Sequence, residues 1–188
     1  GNHRPYTIPK QDTDFELKHF SDAELKANGF IGDDEFNSFR YMDYSIGKFI
    51  AAAKQEKYFD NTVFVFLGDH GITGNAGNHM PRAWSDLRLT TGHTPLLIYA
   101  PKYLQAARHD MPAQQADVMP PIAGLLNFPY LNKSMGRDLL DPRFDDKRHS
   151  FIIYHSDGPE IGIVDKESYF TMSANGSNPK LYDLRAEN

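Results

Sequence analysis

Asp69 and His70 stand together directly after "FVFLG", a run of β-forming apolar residues, with a glycine on either side of the pair. A carboxylate oxygen beside an imidazole nitrogen is a donor set for a divalent cation of the zinc, manganese, magnesium or calcium kind. In open α/β sheets ligands gather beyond the carboxyl ends of the strands, where loops converge without disturbing the sheet. Neighbouring residues of an ideal strand point to opposite faces, so Gly68 and Gly71 are expected to supply the backbone angles that bring both side chains to one point. Taken alone, the dipeptide reads more readily as a turn in which Asp69 caps a helix and His70 is merely exposed, because short motifs match by chance.

His93 shifts that balance. It comes just before "TPLLIYAP", a second apolar strand, and no crossover helix is evident in the loop between it and His70. A connection without a helix favours antiparallel strands, which brings the start of the second strand to the sheet edge where the first one ends. His93 is thus expected beside Asp69 and His70; otherwise it is a loop histidine bonded to its neighbours.

The elements that must position these residues follow from periodicity. Residues 1–33 are polar and turn-rich, with a short helix near Ser21 to Ala27. Phe36, Phe39, Met42, Ile46, Phe49, Ile50 and Ala53 then recur at helical spacing through about Lys57, with Asp33 and Asp34 as expected caps. "TVFVFLG" is apolar on both faces, as an inner strand covered by helices is. Residues 71–92, rich in Gly, Asn and Thr, read as one long loop, and long loops inside a domain are usually functional. Gln114 to Leu126 reads as a helix whose true start is set by Pro120 and Pro121 in its first turn. Short strands at 150–155, 160–165, 168–173 and 180–184 imply a small antiparallel sheet. The expected fold class is α/β: a mixed, mostly parallel sheet flanked by helices, with that antiparallel sheet at the C-terminus. The expected division is residues 1–145 as the main body and 146–188 as a small subdomain.

The totals constrain partners. With 188 residues, 20 Lys and Arg against 25 Asp and Glu and a formal charge of -5, a nucleic-acid groove or an anionic membrane surface is disfavoured as main partner. A local pocket for a small anion is not. Cysteine is absent, which removes disulfides, thiolate metal ligands and a cysteine nucleophile from this stretch. No apolar run reaches the roughly 18 residues needed to span a bilayer.

Six pieces, in this order, carry a resemblance: "NHRPYTIP", "RYMDYSIGKFI", "GDHG" after an apolar strand, a His before "PLLIYAP", "ADVMPPIAGLL" with "MGRDLL", and a closing "KLYDL". Together they resemble the C-terminal part of the sulfatase family, within the alkaline phosphatase superfamily. The first two resemble its membrane-anchored branch of lipoteichoic acid synthases and phosphoglycerol transferases. The resemblance implies an alkaline phosphatase-like fold truncated on its N-terminal side, with Asp69 and His70 as ligands of a divalent metal ion. It implies that His3 contacts the phosphate or sulfate group, and that His93 grips an anionic oxygen or protonates the leaving group. Arg4 and Arg82 are further candidates, since guanidinium offers a planar fork matched to these anions. Asp117 and Asp43 read as structural; His19, His79, His109, His149 and His155 read as surface residues; Trp84 either lines a pocket or anchors the loop.

What the resemblance implies about activity is hydrolysis of sulfate esters, or alternatively transfer of phosphoglycerol or phosphoethanolamine, on a small anionic ester or glycolipid. The family's nucleophile and a further carboxylate ligand belong to the N-terminal half of the polypeptide, and neither is assignable here. This stretch alone is therefore expected to be inactive, and to be a piece of a longer protein held to the membrane by segments upstream. The implied location is the bacterial envelope, on the periplasmic or extracellular side. The reading from another class is a sulfatase fold kept as a non-catalytic binding module.

Overall fold

The computed structural model describes residues 3–71, 74–155 and 158–185, without the side chains of residues 146 and 147. Asn2 of the "NHRPYTIP" segment, two residues of the expected long loop and two of the turn after residue 155 lie outside the described residues. The chain divides into two compact units, Gly1–Gln105 and Ala106–Asn188.

The first unit begins with an irregular strap and the short helix α1 (Asp22–Ala27), closed by a capping box in which Ser21 and Glu24 satisfy each other's backbone amides. The helix α2 (Asp33–Ala53) follows. Its apolar residues meet the strap and the sheet: Phe36 and Phe39 contact the ring of Phe30, and Phe49 stands edge-on to Phe64 and Phe66. The expected caps differ. Gly32 is the N-cap, and Asp33 instead accepts the Phe20 amide at 3.1 Å and meets His19 Nδ1 at 2.8 Å. Its carboxylate is used to tie down the strap, while the acidic first turn still favours the helix N-terminus electrostatically.

Strands β1 (Phe64–Leu67) and β2 (Leu96–Tyr99) pair antiparallel, Phe64 opposite Tyr99 and Leu67 opposite Leu96. The antiparallel sense expected from the helix-free connection is thus present. That connection is more ordered than a single loop: it contains α3 (Arg82–Asp86) and a 3-10 turn at Leu89–Thr91, whose Leu89 is buried. α3 has five residues, too few to register as a helical period in the sequence.

In the second unit, α4 (Met119–Leu125) carries its prolines in the first turn, where a missing amide hydrogen costs nothing. Strands β3 (Ser150–Tyr154), β4 (Glu160–Val164), β5 (Ser168–Ser173) and β6 (Lys180–Asp183) form an antiparallel meander in chain order. Tyr169 and Tyr182 stack across β5 and β6 at 6.1 Å. All four strands match the expected positions to within a residue or two. The α/β class holds. The expected parallel pairings are not found among the described residues, where every ladder is antiparallel, because no helical crossover joins one strand to the next.

Candidate active site

The antiparallel register sets the geometry. The ladder continues past β1 through the Gly68 amide, which donates to the Pro95 carbonyl at 3.3 Å, and the Gly71 amide donates to the Thr91 carbonyl at 2.7 Å. His93 thus comes to the same end of the strand pair as Asp69 and His70, although the Gly71 bond to Thr91 falls one residue off the β1–β2 register. The two glycines serve this approach by being small. Neither has a positive φ, contrary to the expectation that they supply unusual angles. A Cβ on Gly71 would lie 2.1 Å from the Thr90 carbonyl oxygen and 2.9 Å from that of His93, and one on Gly68 would lie 3.0 Å from the Thr94 side chain. A methyl group at position 71 cannot be accommodated without moving the backbone of the turn that carries Thr90 and His93.

Asp69 and His70 are both exposed at this edge. The His70 amide donates to Asp69 Oδ1 at 3.0 Å. Backbone amides of Asp69 itself and of His70, followed by the charges of His70 and His3, hold the Asp69 carboxyl below the usual carboxylate range. It is therefore ionised at neutral pH. His70 Nδ1 lies 2.8 Å from the Gly71 carbonyl oxygen, which can only accept, so Nδ1 carries the hydrogen. In the neutral ring the lone pair then sits on Nε2, the arrangement typical of a metal-ligating histidine whose other nitrogen is bonded to the backbone.

His3 comes to the same place from the other end of the unit. Its ring lies 5.2 Å from that of His70, centroid to centroid, at 64°. His93 is positioned by its backbone, its amide donating to the Leu89 carbonyl at 3.1 Å, while its ring meets Trp84 edge-on at 5.3 Å. Loss of hydration in that packing lowers the His93 pKa, so the ring is neutral at pH 7. Trp84 on α3 thus packs on a site residue.

The structure therefore brings Asp69, His70 and His3 together and places the His93 backbone across from them. It does not give the arginines the same setting. Arg4 is exposed, and Arg82 is exposed with its Nε bonded to Asp86, one turn along α3, at 3.2 Å. His79 bonds Asn28 Oδ1 through Nε2 at 3.0 Å and ties the loop to the end of α1. In the second unit Asp117 is structural as expected, receiving the amides of Gln114 and Arg137. Tyr6 and Glu35, which support the His3 segment, were not legible, because a tyrosine and a glutamate 29 positions apart carry no local pattern.

An ionised carboxylate and an imidazole with a free Nε2 lone pair fit a divalent cation, but they are two ligands, fewer than a tight site uses. Among the described residues, no three His, Cys, Asp or Glu side chains are grouped closely enough to hold a metal ion. Nor is any helix among them long and apolar enough to cross a membrane.

Comparison with known proteins gives the family. Residues 1–128, which include all of these side chains, match the sulfatase family model. The chain is 29% identical over 168 residues to lipoteichoic acid synthase 2 of Bacillus subtilis, covering 86% of this chain and 24% of that protein. It is 29% identical over 171 residues to lipoteichoic acid synthase of Staphylococcus aureus, covering 85% and 24%. Among solved structures, the lipoteichoic acid synthase LtaP of Listeria monocytogenes superposes with a TM-score of 0.69 at 20% identity, over 97% of this chain and 44% of that one. BT4656, solved with its substrate D-glucosamine-2-N,6-O-disulfate, gives 0.58 at 17% identity, over 81% and 34%. The chain thus spans about a quarter of the curated relatives it matches. With more than half of its residues matched by one family model, and with its fold shared by solved members, this chain belongs to the sulfatase family.

Proposed function

We propose that the chain forms one side of the active centre of an envelope enzyme that transfers a phosphoglycerol-type group from an anionic ester. The observation that carries this reading is the meeting of Asp69, His70 and His3 at the end of β1, in a chain whose curated relatives are lipoteichoic acid synthases. The nucleophile, a further carboxylate ligand and the membrane anchor are supplied by parts of the polypeptide outside these residues. Placement on the periplasmic or extracellular face belongs to the same reading.

In this reading Asp69 through its carboxylate and His70 through Nε2 hold a divalent metal ion. Such an ion, when bound, stabilises a deprotonated nucleophile and neutralises charge on the group being transferred. The chain's own residues do the rest. His3, set edge-on to His70, donates a hydrogen bond to a non-bridging oxygen of the ester. His93, neutral at pH 7, does the same through a ring N–H and needs no proton from solvent to do so. As general acid it would serve only once the bound anion has drawn its pKa back up. Backbone bonds just after β1 and in the turn before β2 fix Asp69, His70 and His93 before substrate arrives, which is where electrostatic stabilisation gains its effect. Arg4 and Arg82 remain available to a longer anionic substrate, Arg82 at the cost of its bond to Asp86.

A second reading, hydrolysis of sulfate esters, is favoured by the likeness to BT4656, solved with a sulfated glucosamine. Sulfate and phosphate groups are near-isosteric, and the same donors suit both. The discriminating experiment incubates the intact polypeptide with a glycerophosphodiester and, separately, with a glucosamine sulfate. Release of phosphoglycerol with the sulfate ester untouched supports the proposal. Release of sulfate alone replaces it with the second reading, and turnover of neither leaves the fold as a binding module.

A further inference from the structure

His3 sits in a segment without regular secondary structure, yet its ring meets His70. Something must hold that segment. The strap doubles along α2. Phe20 and Lys18 are bonded to Asp33 and Asn37 near its N-terminus, and Asp12 is bonded to Tyr41 and Lys48 further along. Tyr6 then returns the chain to the first turn of the helix, where its hydroxyl donates to Glu35 Oε1 at 2.9 Å. Glu35 is only 6% exposed, and its other oxygen accepts the Ile31 amide at 2.8 Å. A buried carboxylate at a helix N-terminus is a strong, directional acceptor. Only Arg4 and Pro5 separate Tyr6 from His3, and the ring of Pro5 limits the freedom of that link.

We propose that Tyr6 and Glu35 are positioning residues for His3: the phenol-to-carboxylate hydrogen bond sets where the His3 imidazole stands beside His70. The proposal rests on the reading of His3 as an anion contact only for its functional consequence; the placement itself stands on the bond and the ring contact. Neither residue touches the reacting group. Each acts through His3.

The test uses the intact polypeptide and two readouts. The first is the nuclear Overhauser effect between the His3 and His70 ring protons in histidine-labelled protein. It is expected in the parent and not in Tyr6→Phe, which removes one oxygen and keeps the ring. The second is calorimetric binding of inorganic phosphate and, separately, inorganic sulfate to the parent, Tyr6→Phe, His3→Ala and the double variant. Tyr6→Phe is expected to weaken binding by about three- to tenfold, and His3→Ala by at least as much, with the double variant no weaker than His3→Ala alone, because coupled residues are non-additive. Glu35→Gln is expected to repeat the Tyr6→Phe result. An Overhauser effect that survives Tyr6→Phe overturns the proposal, and so does its absence from the parent. Full additivity in the double variant also overturns it. If His3→Ala binds both anions as the parent does while Tyr6→Phe still separates the two rings, His3 is removed from the anion site and the positioning role stands.

Discussion

In the second unit Asp117 is fully buried and its oxygens close on the amides of Gln114 and Arg137, with the Arg137 guanidinium 3.6 Å away. In the first unit Asp69 is exposed, lies at the open end of a strand, and is held below the usual carboxylate range by backbone amides and two histidines. The same side chain serves opposite ends. Asp117 is enclosed so that its charge holds the loop carrying Arg137 to the turn before α4. Asp69 is supported by the backbone from behind, which leaves its charge facing outward. The contrast extends further: Arg185 in the second unit is bonded to Asp183 and Glu167, and Arg148 to Asp145 and two carbonyls. These guanidinium groups pair with carboxylates of their own unit, whereas the first unit gathers imidazoles with different neighbours at one edge.

If that division is sound, substitutions in the two units must fail in different assays. Asp69→Ala is expected to lower turnover of the intact enzyme by about a thousandfold or more while leaving the unfolding midpoint in place. A loss of stability without loss of turnover per folded molecule would reverse the assignment. Asp117→Ala is expected to cost about 3 kcal/mol in denaturant unfolding, since it leaves a largely buried guanidinium without its carboxylate, and to leave turnover of the folded fraction unchanged. His93→Gln is expected to reduce turnover about a hundredfold, the scale of losing one positioned imidazole. Parent-like turnover there would remove His93 from the site. Arg185→Ala, which breaks only exposed pairs, is expected to change neither readout measurably.

The smallest measurable effect is a pH dependence. Burial lowers the His93 pKa, so the unfolded chain binds its proton more readily than the folded one as pH falls. Stability is expected to be undiminished by this group above the ordinary histidine value. It should decline as pH drops through that value, and level off below the lowered folded one. Denaturant titrations at several pH values, parent against His93→Gln, check the sign: the parent should lose more on acidification.

Regular pieces of this fold are legible because they repeat. The helix of "FNSFRYMDYSIGKFIAAA", the antiparallel sense of β1 and β2, and the meander from 150 onward all follow from period and connection length. Asp69 and His70 are legible because an apolar strand runs straight into them, although only Phe64 of that strand is buried and the inner, covered strand expected is not found among the described residues. What stays hidden depends on distance in sequence. The Gly32 cap is set by His19 and Phe20 drawing Asp33 away, and the edge-on contact of Trp84 with His93 needs α3, a helix too short for its pattern to show. The reason for Gly71 is equally invisible: its φ is not positive, and the close carbonyl of Thr90 explains it.

The register between β1 and β2 makes His93 a matter of counting. Two residues, Thr94 and Pro95, lie between it and the first paired residue of β2. One residue inserted there would shift the turn that holds the His93 amide relative to β2, and with it the close approach of Thr90 and His93 to Gly71. A change of length between His93 and β2 is therefore expected to disturb both sides of the site at once.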